Sequence, residues 1–207
     1  MLRAQNWTAI FDWDGVIIDS SRQHDLGWQA LAAEMGRTLP PNFFLKSFGM
    51  KNQRVFRELL DWTHDAEEIE QLSQRKEWFF REFVARDGIA PLPGVVPFLD
   101  RLQAAAVPCA VASSTPRKNI DCMIDNLGVR GYFQRIITAE DVQHGKPHPE
   151  VFLLAAQNLG RPPETCVVFE DAHVGIEAGL NAGMKVGGVA TTHPAESLHG
   201  AHRVVRR

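Results

Sequence analysis

Phe11-Asp12-Trp13-Asp14-Gly15-Val16 sets two carboxylates directly after an uncharged run, Trp7-Thr8-Ala9-Ile10. That run is rich in aromatic and β-branched residues and reads as a buried strand of a parallel sheet, its backbone satisfied by neighbouring strands. Aspartate is a poor strand former, so the pair marks the strand's end. Open α/β sheets bind ligands in the crevice beyond the carboxyl ends of their strands, and acids emerging there just ahead of a glycine turn are placed for chemistry. A carboxylate on this rim is ionised at neutral pH (reference pKa about 3.9). It can attack phosphorus without a base and form an acyl phosphate labile to water. A second carboxylate two residues on points broadly the same way. It can protonate a leaving oxygen and then deprotonate the incoming water.

Past Gly15 the apolar pattern turns helical. Trp28, Leu31, Ala32 and Met35 fall on one helix face, with Gly36 at the C-terminal end. Val55, Phe56, Leu59 and Leu60 predict a second helix. Asp65 caps a third, with Glu68 reaching back, which continues through Ile69, Leu72, Phe79 and Phe83. Three helices without a strand interrupt the βαβ rhythm, so residues 18–90 are expected to be a small helical cap domain inserted into a sheet domain made of residues 1–17 and 91–207. Pro91-Leu92-Pro93-Gly94 marks the return. From there strands at Cys109–Ala112, Arg135–Thr138, Cys166–Phe169 and Lys185–Val189 alternate with helices, and His202–Arg207 is a candidate last strand. Pro116 is expected at the first helical position of its helix. The fold class is α/β, a doubly wound parallel sheet with a helical cap.

Each later strand also leads into polar residues. Ser113-Ser114-Thr115 offers hydroxyls and backbone donors beside a helix N-terminus, an anion site in form, although Thr115 as a helix cap is the plainer reading. Lys146, held between Gly145 and Pro147, can neutralise a phosphoryl oxygen or Asp12; the lone alternative is a solvated lysine. Glu170-Asp171 either caps the following helix or gathers oxygen ligands for a hard divalent cation.

Taken in order, Asp12/Asp14, Ser113, Lys146 and Glu170/Asp171 resemble the four motifs of the haloacid dehalogenase (HAD) phosphohydrolases across essentially the whole chain. The resemblance implies Asp12 as nucleophile, Asp14 as general acid/base, Ser113 and Lys146 as phosphate binders. It also implies a Mg²⁺ site of Asp12, the Asp14 carbonyl and Asp171, with Glu170 nearby. The helical insertion is similar to the cap of the β-phosphoglucomutase and small-phosphatase subgroup. An Asp at position 14 favours phosphate esters over haloacids or phosphonates in that family. The segment Asp19–Leu31 with His24 and Trp28, and Arg75-Lys76, resembles the mutases. Where those present an arginine for a second phosphate, this chain reads Gly49-Met50-Lys51-Asn52. Asparagine lacks the guanidinium's bidentate grip, although Lys51, Arg54 or Lys76 are possible substitutes. The expectation is therefore a phosphatase of a small phosphorylated metabolite, with a sugar phosphate foremost, a phosphosugar mutase as the alternative and a non-catalytic binding protein on the same fold as the third reading. His24, Lys51, Asn52 and Lys76 in the cap, and Ser114, Arg117, Lys118 and Asn119 after the serine loop, are the candidate substrate contacts.

The rest of the composition excludes more than it assigns. The 207 residues are 44% hydrophobic and 23% charged, ordinary for a soluble globular protein. A net charge of -3 gives no electrostatic reason to expect nucleic acid or an anionic membrane. No apolar run approaches the roughly 20 residues that span a bilayer, and a cytoplasmic protein is the expectation. Cys109, Cys122 and Cys166 are expected as free thiols. His144 and His148 have no partners at zinc spacing, and Pro147 breaks any helical face they would share, so no metal is assigned to them. Gly175, Gly179 and Gly183 read as a thin helix face packed on the sheet. The sequence does not specify an oligomeric state.

Overall fold

The structure, a computed structural model, describes residues 7–47 and 50–206. Gly49 lies outside them. Two compact units emerge, Met1–Asp19 with Ile89–Arg207, and Ser20–Gly88.

The first unit is a six-stranded parallel sheet. Strand β1 (Thr8–Phe11) is fully buried and central. The second unit, which follows it in sequence, is helical: α1 (Ser21–Glu34), α2 (Phe43–Ser47), α3 (Asn52–Arg54) and α4 (Ala66–Asp87). The chain then returns to the sheet through α5 (Val95–Ala104), β2 (Cys109–Ala112), α6 (Arg117–Leu127), β3 (Arg135–Ile137), α7 (Glu150–Asn158), β4 (Cys166–Glu170), α8 (His173–Asn181), β5 (Lys185–Ala190) and β6 (Arg203–Arg206).

Strand order is β3-β2-β1-β4-β5-β6. The chain runs outward from β1 through β2 to β3, then crosses back to β4 on the other side of β1 and continues outward to β6, and the switch point between β1 and β4 is where such sheets open a crevice. Alternation along the strands sorts the two faces. Ile10, Ala110, Val168 and Val186 join one apolar cluster with Phe152 of α7 and Ile176 of α8. Phe11 turns the other way, stacked on Phe169 at 4.8 Å and edge-on to Phe98 of α5.

Gly179 lets α8 pack tightly on the apolar face of the sheet: a Cβ there would lie 2.8 Å from Val186 Cγ2. Gly183, beyond the helix end, adopts a left-handed φ of +72° instead, so it stops the helix rather than packing it.

Two sequence expectations need correction. The apolar set Val55 to Leu60 is not a regular α-helix. After α3 the segment Val55–Leu59 winds as a π-turn, with Leu60 N–H reaching back five residues to the Val55 carbonyl at 2.9 Å. The looser winding still buries Val55 and Phe56 against Trp28, Leu31 and Ile69. Pro116 precedes the first turn of α6 in extended conformation (ψ 144°) instead of opening it, so the helix starts one residue later. Asp65 caps α4 as expected, accepting the Glu68 N–H at 2.8 Å. Among the described residues no helix is long and apolar enough to cross a membrane.

Candidate active site

Every side chain of the acidic set comes off a strand's carboxyl end. Asp12 follows β1, its N–H bonded to the Phe169 carbonyl of β4 at 3.0 Å, and Glu170 ends β4 with Asp171 next. Asp12, Glu170 and Asp171 are all buried, and one carboxylate oxygen from each lies within 4.8 Å of the others. Lys146 Nζ donates to Asp12 Oδ1 at 2.6 Å and to Glu170 Oε1 at 2.7 Å, with its side chain 7% exposed. The sequence alternative of a solvated lysine is overturned. Glu170 Oε2 also accepts the Ala172 N–H at 2.8 Å, so this acid steadies the start of α8 while facing the site.

Three carboxylates against one ammonium leave the cluster short of positive charge. Burial, with Glu170 and Asp171 adding to it, pushes the Asp12 carboxyl well above the usual range, against the pull of Lys146. Burial, then Glu170, raises Asp171 to about 7, with Thr192 and Lys146 opposing and Asp14 adding a smaller push. Burial disfavours the Lys146 charge, but Asp12 and Glu170 overcome it and raise its pKa above the ordinary lysine value. An all-oxygen set whose members resist ionising together fits a hard divalent cation such as Mg²⁺.

Two glycines make the room. A Cβ on Gly15, which has φ +76°, would sit 1.9 Å from Asp171 Oδ2, and one on Gly175 would sit 1.8 Å from Glu170 Oε1. Both acids therefore occupy space that any side chain would take. Gly175 belongs to the glycine series read from sequence as a packing face; at this position the face packs a carboxylate.

Asp14 is turned differently, accepting a 2.6 Å hydrogen bond from Thr115 Oγ1. Thr115 is thus no helix cap; it orients the second aspartate. Ser113 is buried at the end of β2, and its Oγ accepts the Thr115 N–H at 3.1 Å, leaving its own O–H to donate.

The profile of the haloacid dehalogenase-like hydrolases matches residues 8–183. The chain belongs to that family. Over 202 residues it is 38% identical to the chloroplastic 5-amino-6-(5-phospho-D-ribitylamino)uracil phosphatase of Arabidopsis thaliana, a match covering 96% of this chain and 54% of that protein. It thus spans about half the length of that relative. Over 177 residues it is 30% identical to the fructose-1-phosphate phosphatase YqaB of Escherichia coli, covering 84% of this chain and 92% of that one. The crystal structure of β-phosphoglucomutase from Clostridium difficile superposes with a TM-score of 0.80 at 28% identity, over 96% of this chain and 89% of that one. Within the HAD-like hydrolases the chain falls in the branch of small-molecule phosphatases and β-phosphoglucomutase-like proteins.

Other sequence-named positions of this HAD-like chain divide clearly. In the helical unit Lys76 is buried; its Nζ lies 2.7 Å from His24 Nδ1 and 2.9 Å from Glu77 Oε1, which also accepts from Asn52 Nδ2 at 2.8 Å. Lys51 is exposed. After the serine loop, Ser114 and Lys118 are exposed, but Arg117 is committed to the Ile136 carbonyl (2.8 Å) and Asp141 (2.7 Å), and Asn119 is fully buried. Arg117 is thereby tied to β3 and to the turn that follows it. Sequence reasoning missed Thr191 and Thr192 after β5. Thr192 Oγ1 donates to Asp171 Oδ2, and Thr191 Oγ1 to the Gly15 carbonyl. The signal was available, because these hydroxyls follow an apolar strand in the same way as Ser113.

Proposed function

We infer that the chain is a Mg²⁺-dependent phosphatase of a small phosphorylated metabolite, a sugar phosphate by preference, working through an aspartyl phosphate on Asp12. The observation that carries this reading is the buried cluster of Asp12, Glu170 and Asp171, with Lys146 bridging the first two and Asp14 held separately by Thr115. A phosphoryl group needs little covalent chemistry beyond a nucleophile; it needs positioning and neutralised charge.

In this scheme Asp12 Oδ attacks phosphorus and the ester oxygen departs, taking a proton from Asp14. Asp14, now ionised, removes a proton from water, whose oxygen attacks phosphorus and returns Asp12 as a carboxylate with inorganic phosphate free. Lys146 and the Ser113 hydroxyl hold phosphoryl oxygens. Mg²⁺, held by Asp12, the Asp14 carbonyl and Asp171 with Glu170 nearby, would supply positive charge to the transferring group.

Support for the substrate class comes from the relatives, one named for fructose 1-phosphate and another for a phosphoribityl compound. The helical unit is proposed as the cap of residues 18–90 and offers exposed Lys51 for substrate reading, while His24, Asn52 and Lys76 are engaged with one another and with Glu77. A mutase must hold a second phosphate. Asn52 is engaged with Glu77, and Arg54 is paired with Glu58 at 2.7 Å, which favours hydrolysis. A cytoplasmic setting completes the reading, supported by the free, buried thiols of Cys109 and Cys166.

The test is phosphate release from a panel of sugar phosphates with Mg²⁺, following β-glucose 1-phosphate for isomerisation as well. Release that stops with EDTA and falls at least about 10⁴-fold in Asp12→Asn is expected. Isomerised sugar phosphate without net release would establish the mutase instead, and silence on every ester would overturn the sugar-phosphate reading.

A further inference from the structure

Pro147 prevents His144 and His148 from sharing a helix, yet their rings meet. A turn closed by His148 N–H on the Gly145 carbonyl (3.1 Å) folds the loop back, bringing the ring centroids to 4.6 Å at 38°. Glu150, at the start of α7, faces both. Its Oε2 lies 2.9 Å from His144 Nδ1 and 3.7 Å from His148 Nδ1. The carboxylate cannot swing away easily, because Oε1 accepts the Gln143 N–H at 3.0 Å and Oε2 the His144 N–H at 2.9 Å. Asn181 Nδ2 donates to the Pro147 carbonyl at 3.3 Å and ties the loop to α8. One ligand atom from each of His144, His148 and Glu150 falls within 4.8 Å of the others.

Two imidazoles and a carboxylate make a different donor set from the all-oxygen cluster around Asp12. Imidazole nitrogen selects Zn²⁺, Cu²⁺, Ni²⁺ or Fe²⁺ over Mg²⁺ and Ca²⁺. Two His and one Glu leave a fourth position for water, the pattern of an open zinc site. The histidine side chains are 62% and 50% exposed, so a cation reaches them from solvent. Lys146, between them in sequence, points inward to Asp12 and Glu170. The two sites are thus separate in chemistry and in direction.

We propose that His144, His148 and Glu150 form a surface site for one divalent cation of the Zn²⁺ class, distinct from the buried carboxylate set. The site stands whether or not the phosphatase reading does.

Zn²⁺ is titrated calorimetrically into the full, untagged, chelator-stripped chain with Mg²⁺ in excess. The expected result is one Zn²⁺ per chain, with affinity at least about tenfold weaker in His144→Ala and in His148→Ala, the low end of what losing even an outer hydrogen-bond partner of a metal ligand costs. Asp171→Asn is expected to bind Zn²⁺ as the parent does. Far-ultraviolet circular dichroism checks that each variant is folded. The assignment is overturned by no uptake in the parent, by equal uptake in the His144→Ala/His148→Ala double variant, or by loss of Zn²⁺ binding in Asp171→Asn.

Discussion

In the sheet unit Asp12 and Glu170 share one ammonium, Lys146, with Asp171 crowded beside them; in the helical unit Lys76 is matched by Glu77, with His24 and Asn52 completing the contacts. Both clusters bury charge, and burial alone resists ionisation in both. In the helical unit that resistance is overcome. Although burial pushes Glu77 up, Lys76, His24 and Asn52 bring it down to about 2. In the sheet unit it is not overcome, and Asp171 stays near 7. A cluster that balances its own charge holds itself together, whereas one left acidic has the donor chemistry of a divalent-cation site.

The largest effect expected from this contrast comes from removing one charge on each side. Lys76→Met strands Glu77 in the interior and should cost about 3–5 kcal/mol. Asp171→Asn removes one of three crowded acids and should instead stabilise the metal-free protein at pH 8 by about 1–3 kcal/mol. Urea unfolding of both variants measures the two signs, and destabilisation by both would end the distinction.

Next in size is pH. Asp171, at about 7 against an ordinary 3.8, holds more protons folded than unfolded in that interval, so metal-free stability should fall as pH rises from 4 to 7. Glu77, at about 2 against 4.5, does the reverse: the unfolded chain holds more protons, so its contribution is present above 4.5 and lost as pH falls toward 2. Thermal melts across the upper window, and amide exchange in α4 across the lower, should slope in opposite directions. Saturating Mg²⁺ should cancel the first slope, because the cation takes the deprotonated acid.

The smallest effect is Asn52→Ala, which deletes one hydrogen bond to a charged acceptor and should cost roughly 1–2 kcal/mol. Amide exchange in α4 would report it, and an unchanged rate would show that Lys76 alone balances Glu77.

Much of the sheet unit was legible because its signals are local. The apolar runs leading to Phe11, Ala112 and Phe169 announce strands, and polar residues immediately after them announce a rim. Thr115 was misread because a hydroxyl ahead of Pro116 fits a cap equally well; only the approach of Asp14, 101 residues away in sequence, selects its partner. Thr192 reaches Asp171 across 21 residues for the same reason. The partners of Arg117, the Ile136 carbonyl and Asp141, were equally out of sight, because sequence shows residue type but not what surrounds it.

By itself the sequence determined the α/β class, the run of helices between the first two strands, which acids stand at strand ends and which lysine precedes a helix, since periodicity and strand termination are properties of neighbouring residues. Tertiary structure alone decided that Asp12, Glu170 and Asp171 crowd together with one lysine bridging the first two, that Gly15 and Gly175 vacate space for two carboxylates, and that His144 and His148 face Glu150. Those outcomes depend on distances between segments remote in the chain or on the path of a turn, and electrostatic and steric energies respond to separation in space, whatever the order along the backbone.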